Sequence, residues 1–92
     1  MRLQYNQIPR AGETFILSIT GSVGIARVTW MINDAVLNVT KCEDPPCYEE
    51  MYIEPRFAGR ELRLIGEDEV ETKELRLRIG GTDTAPITAA LA

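Results

Sequence analysis

Period-two alternation of apolar and polar positions runs through most of this chain, and it predicts strands rather than helices. In Thr14–Thr20, Phe15, Leu17 and Ile19 make one apolar face, and Ile16 is the exception on the other. Gly21-Ser22-Val23-Gly24 breaks the run. Ala26–Ile32 resumes it, with Ala26, Val28, Trp30 and Ile32 facing inward. Asn33-Asp34 is a two-residue turn signal, because both residue types tolerate left-handed backbone angles. Ala35–Thr40 then returns as the second arm of a hairpin. Tyr48–Glu54 follows, with Met51 and Ile53 on one face and Pro55 at its end, since proline donates no ladder hydrogen bond. Arg60–Ile65 places Leu62 and Leu64 inside. Thr72–Ile79 places Leu75, Leu77 and Ile79 on one side, after a polar connection at Gly66–Glu71. The helix propensity of Leu and Glu competes over Glu67–Ile79, but apolar residues at 70, 75, 77 and 79 leave no helical stripe.

Six strands result, or seven if Arg2–Ile8 leads, at intervals of about 8–14 residues with turn signals between them. That spacing predicts an all-β antiparallel sandwich. Its core gathers Leu17, Trp30 and Leu64, with Phe15, Val28, Leu62, Leu75 and Leu77 converging on the same dry interior. The chain divides into a leading strand or N-terminal arm at 1–10, the sandwich at 11–80, and an extended C-terminal arm at 81–92. Gly80-Gly81 ends the last strand, and the Thr/Ala-rich stretch beyond it carries a single charge, Asp83.

Three stretches resemble an immunoglobulin-like domain, in the broad sense that includes bacterial and phage members. Gly12-Glu13-Thr14-Phe15 opens a B-like strand, and Val28-Thr29-Trp30-Met31-Ile32-Asn33 is similar to a C strand. Leu62-Arg63-Leu64-Ile65-Gly66-Glu67-Asp68 leads through a hairpin into Lys73–Ile79. The resemblance implies a seven-strand sandwich with Trp30 packed between the two sheets. It also implies recognition or assembly rather than catalysis. Two departures stand out: Leu17 and Leu64 occupy about the positions of the inter-sheet cysteines of antibody domains, and no tyrosine corner is present.

Composition narrows the chemistry. The 92 residues contain no histidine, which removes Ser-His-Asp and Cys-His catalysis and the usual zinc hydrolases. Ten basic against fourteen acidic side chains give a net charge of −4. Four basic and two acidic groups fall in residues 1–41, six and twelve in residues 42–92. Nothing there clusters Lys and Arg as a phosphate-tracking surface requires, so no nucleic acid partner is expected. No window is long and apolar enough for a membrane span, and none is expected. No cofactor is expected either.

Cys42 and Cys47 enclose Glu43-Asp44-Pro45-Pro46. A local disulfide is the first reading, with two prolines bending the chain between the sulfurs. Free thiols in a reducing compartment and a metal site shared between chains are the alternatives, because one chain offers no second ligand pair. The acidic run Glu67-Asp68-Glu69, with Glu71, reads as a solvated hairpin rather than a catalytic acid pair, since glycoside hydrolysis needs a cleft that so short a chain does not build. It also lacks a spaced calcium loop. Asn38-Val39-Thr40 is a sequon with no export signal to give it meaning. Tyr48 and Tyr52 share a face, with Tyr5 near the N-terminus, and Pro45-Pro46 forms a stiff tip. These four residues of the cysteine loop and its following strand are the candidate recognition surface.

The resulting expectation is a non-enzymatic structural or binding module. A starting methionine, no export signal, one domain and terminal arms point to a phage virion structural or capsid decoration protein. In that setting it is made in the cytoplasm and docks on capsid or other virion subunits, with homo-oligomers among the options. Thr82, Ala85, Pro86, Ile87 and Leu91 are the partner-docking candidates of the C-terminal arm. The alternative is an Ig-like adhesion or accessory module excised from a bacterial surface or secreted protein, located at the cell surface or outside the cell.

Overall fold

The computed structural model describes residues 1–81, and the docking candidates Thr82 to Leu91 lie outside the described residues. Among the described residues seven strands form: β1 (Arg2–Gln4), β2 (Thr14–Thr20), β3 (Ala26–Ile32), β4 (Ala35–Cys42), β5 (Cys47–Tyr52), β6 (Glu61–Glu67) and β7 (Thr72–Arg78), with one 3₁₀ turn at Pro55–Phe57. They build an all-β, two-sheet sandwich. β1, β2 and β5 make one sheet in the order β1-β2-β5, and the other runs β4-β3-β6-β7. Every strand pair is antiparallel.

Alternation explains the core. Phe15, Leu17 and Ile19 project from β2 onto Ala26, Val28, Trp30 and Ile32 of β3 and Leu62 and Leu64 of β6, and all nine are buried. Trp30 is 1% exposed, and its ring meets Phe15 of the opposing sheet edge to face, with centroids 6.1 Å apart. That geometry suits the aromatic quadrupole. Cys42, Ile53, Phe57 and Ile79 complete the same cluster. Glu67–Ile79 is strand and turn, as the missing helical stripe implies.

The two long sides of the sandwich are closed differently. On one, the chain leaves β1 and crosses to the other sheet, where Arg10 bridges Gly80 in parallel. Ala11 N–H donates to Gly80 O and Gly80 N–H donates to Pro9 O, both at 2.9 Å. On the other side the sheets are joined covalently, because Cys42 at the end of β4 and Cys47 at the start of β5 form a disulfide.

Several expected boundaries shift. β1 stops at Gln4 rather than Ile8, as Tyr5 turns its ring to Phe15 at 6.0 Å and Pro9 has no N–H for a ladder. β4 runs on to Cys42, and β5 begins at Cys47 and ends at Tyr52, two residues before Glu54. Leu75 and Leu77 are half-buried rather than fully inside, because β7 is an edge strand. The turn at Asn33-Asp34 is as expected, with Asn33 at φ 56° and Ile32 paired to Ala35.

Candidate functional site

The recognition residues nominated from the sequence are exposed on the disulfide loop and on β5, and they do not converge on a pocket. Pro45 and Pro46 are exposed at the tip of the disulfide loop. Tyr48 and Tyr52 are 68% and 56% exposed on the outer face of β5. Four strand residues apart, they stand about 13 Å from each other. Their cross-strand neighbours are Ser18 and Thr14, and Glu50 opposite Ile16 lies between them. The three nominated core residues, Leu17, Trp30 and Leu64, are buried.

Beside Tyr48, residues 4–8 and Arg10 border a groove of about 280 Å³ together with β2. Gln4, Asn6, Gln7, Tyr5, Ile16 and Tyr48 contribute to its walls. Arg10 and Glu13 pair across 3.4 Å at one end, so their charges offset each other. The groove presents carboxamides and tyrosine rings, which suit a neutral polar group better than an ion.

The carboxylate run is structural in its geometry. Asp68 accepts N–H bonds from Val70 and Glu71 through Oδ1, each at 2.9 Å, and from Val23 through Oδ2 at 3.0 Å. The Val23 and Val70 N–H groups hold its pKa below the usual aspartate value, by favouring the charged form. Asp68 therefore clasps the β6–β7 turn to the β2–β3 loop, 45 positions away in the chain. Gly24, at φ +73°, brings its Cα so close to Glu69 that a Cβ would overlap that carboxylate. Nothing in the local pattern announced this clasp, because a turn aspartate and a distant loop amide carry no shared periodicity. On β7, hydrogen bonds from Arg63 and then Arg76 lower the Glu74 pKa. Among the described residues, no group of three His, Cys, Asp or Glu side chains is placed to hold a metal ion. No helix among them is long and apolar enough to cross a membrane.

A run of exposed apolar side chains lies on β4, which the sequence reading did not single out. Val36 and Val39 are 57% and 54% exposed, and Leu37 between them is also exposed. β4 is the outer strand of its sheet, so among the described residues one of its backbone edges has no neighbour. The β3–β4 register shifts between Trp30 and Met31: Asn38 opposes Trp30, whereas Val36 opposes Met31. The extra residue of this bulge brings Val36 and Val39 to the same outer face. Val39 lies in a cross-strand row with Thr29 and Ile65. A break in alternation at Val36-Leu37-Asn38-Val39 was the one available signal. No family model matches the chain, and neither a curated protein nor a solved structure matches it.

Proposed function

We propose that this chain is a non-enzymatic binding module with an immunoglobulin-like sandwich, and that it docks on other proteins. The strand partition supports the immunoglobulin-like reading. β1, β2 and β5 correspond to A, B and E, while β4, β3, β6 and β7 correspond to C′, C, F and G. Trp30 then takes the C-strand core position, and Leu17 and Leu64 take inward positions on the B- and F-like strands. The observation that carries the docking role is the edge strand β4, which pairs with β3 alone among the described residues and turns Val36 and Val39 outward. Apolar side chains beside free backbone groups favour a protein partner, which can both cover the valines and extend the ladder.

The setting we propose is a virion, with the protein as a structural or decoration component. Residues 82–92, with Thr82, Ala85, Pro86, Ile87 and Leu91, serve as a second docking element. Mass spectrometry of purified virions from the source tests this, with stoichiometric presence expected. Deletion of 82–92 is expected to leave the sandwich folded and to abolish attachment. The Cys42–Cys47 disulfide favours the second reading, a module of a surface or secreted protein, because disulfides persist in oxidising compartments. Absence from virions together with presence in the cell envelope or medium decides for that reading.

A further inference from the structure

We infer that β4 pairs with β4 of a second copy of this chain, antiparallel about a two-fold axis, in a register that sets Val36 of each copy opposite Val39 of the other. The inference rests on the reading of β4 as the docking strand and names its partner. Three observations select this register.

The first concerns backbone groups. Asn33 N–H donates to Glu61 O, so by alternation Thr29, four residues earlier, also turns its groups to β6 and not to Val39, whose N–H donates to Asn38 Oδ1 at 2.9 Å. The main-chain groups of Val39 therefore point to the free edge. Hydrogen-bonded and non-bonded pairs alternate in an antiparallel ladder, so Thr29 and Met31 of β3 turn their groups to β6. Val36, opposite Met31, is thereby left facing the free edge as well. Setting Val36 against Val39 of the second copy joins two residues that both offer N–H and C=O outward, and symmetry makes this happen twice.

The second concerns faces. In a regular strand, positions 36 and 39 point to opposite sides, and such a register would pair an inward with an outward residue. The bulge removes that conflict, since Val36 opposes outward Met31 and Val39 opposes outward Thr29. Ala35 and Thr40, which become cross-copy neighbours, both sit opposite inward residues, Ile32 and Val28. The third concerns charge. The same register brings Asp34 of one copy beside Lys41 of the other, at both ends of the seam. Neither forms an ion pair among the described residues. An isologous contact of this kind closes at two copies and builds one eight-stranded sheet. Asn38 must release Val39 N–H for it to form.

The test is sedimentation equilibrium of the full chain and of two variants, Val36→Lys and Val39→Glu. Both positions are exposed, and tryptophan fluorescence verifies that each variant is folded. The wild type is expected to dimerise. Each variant alone is expected to weaken the dimer at least about tenfold, through two lost valine pairs. An equimolar mixture of the variants is expected to regain it as a heterodimer, because one seam then sets lysine against glutamate while the other keeps valine against valine. A wild type monomeric up to about millimolar concentration, where any such affinity would register, overturns the inference. So does a dimer that either substitution leaves intact, or a mixture that stays monomeric. If the chain is monomeric but the same substitutions abolish virion attachment, self-pairing fails and the docking reading stands.

Discussion

The Trp30 indole N–H donates to Thr40 Oγ1 at 3.1 Å, across the β3–β4 ladder. A ring that is 1% exposed thus has its one polar atom satisfied by a hydroxyl on the inner side of the edge strand. A buried indole without such a partner carries the desolvation cost of its N–H. Thr40→Val keeps the shape and removes the acceptor. It is expected to destabilise the fold by about 1–3 kcal/mol, while Thr40→Ser stays near wild type. Urea unfolding followed by the fluorescence of this single tryptophan measures both.

The disulfide closes a loop of only five positions. Chain entropy then limits its contribution to about 2 kcal/mol. The paired substitution Cys42→Ala with Cys47→Ala is expected to lower the urea midpoint by that much or less and to preserve the fold. A loss of the cooperative transition would show that the clasp between β4 and β5 does more than shorten the unfolded chain.

Burial separates the leucines. Leu17 and Leu64 are fully buried at the centre, on β2 and β6, whereas Leu75 on edge strand β7 is half-buried. Leu17→Ala or Leu64→Ala is expected to cost about 2–5 kcal/mol, enough to consume much of a small domain's stability. Leu75→Ala is expected to cost less than either. Comparison of the three midpoints, with unchanged m-values, checks the ranking.

Acid should weaken the molecule through Asp68 and Glu74. Both pKa values are lowered from ordinary values of 3.8 and 4.5, by Val23 and Val70 N–H groups for Asp68 and by Arg63 and Arg76 for Glu74. A carboxyl whose folded pKa lies below its unfolded one stabilises the fold above the unfolded value. It loses that contribution as pH falls through the folded one. Wild-type stability is therefore expected to drop between about pH 5 and pH 2. Asp68→Ala is expected to be less stable at neutral pH and to show a shallower drop. Hydrogen exchange at the Val23 amide, expected to quicken in the variant, reports whether the clasp is the cause.

Inside and outside were legible from the letters alone. Phe15, Leu17 and Ile19, and Val28, Trp30 and Ile32, had to share a face if they were strands at all, because the pleat turns successive side chains to opposite sides. The Asn33-Asp34 turn was equally local. The two cysteines announced a short loop, though not that it fastens one sheet to the other. Pro45, Pro46, Tyr48 and Tyr52 are exposed, which the letters left open for the tyrosines, and only the three-dimensional arrangement set Tyr48 beside the groove that Tyr5 helps to line.

What tertiary structure alone decided is which strands became neighbours, and therefore which edge was left open. Alternation is a property of one strand, whereas pairing depends on burying the faces of all seven at once. That balance sends β4 to the outside of the four-stranded sheet, spends one residue of it in a bulge opposite Trp30, and so turns Val36 and Val39 outward together. It also brings Asp68 to Val23. Contacts so distant in the chain leave no mark on its local pattern, because the free energy that selects them comes from closing the sandwich as a whole.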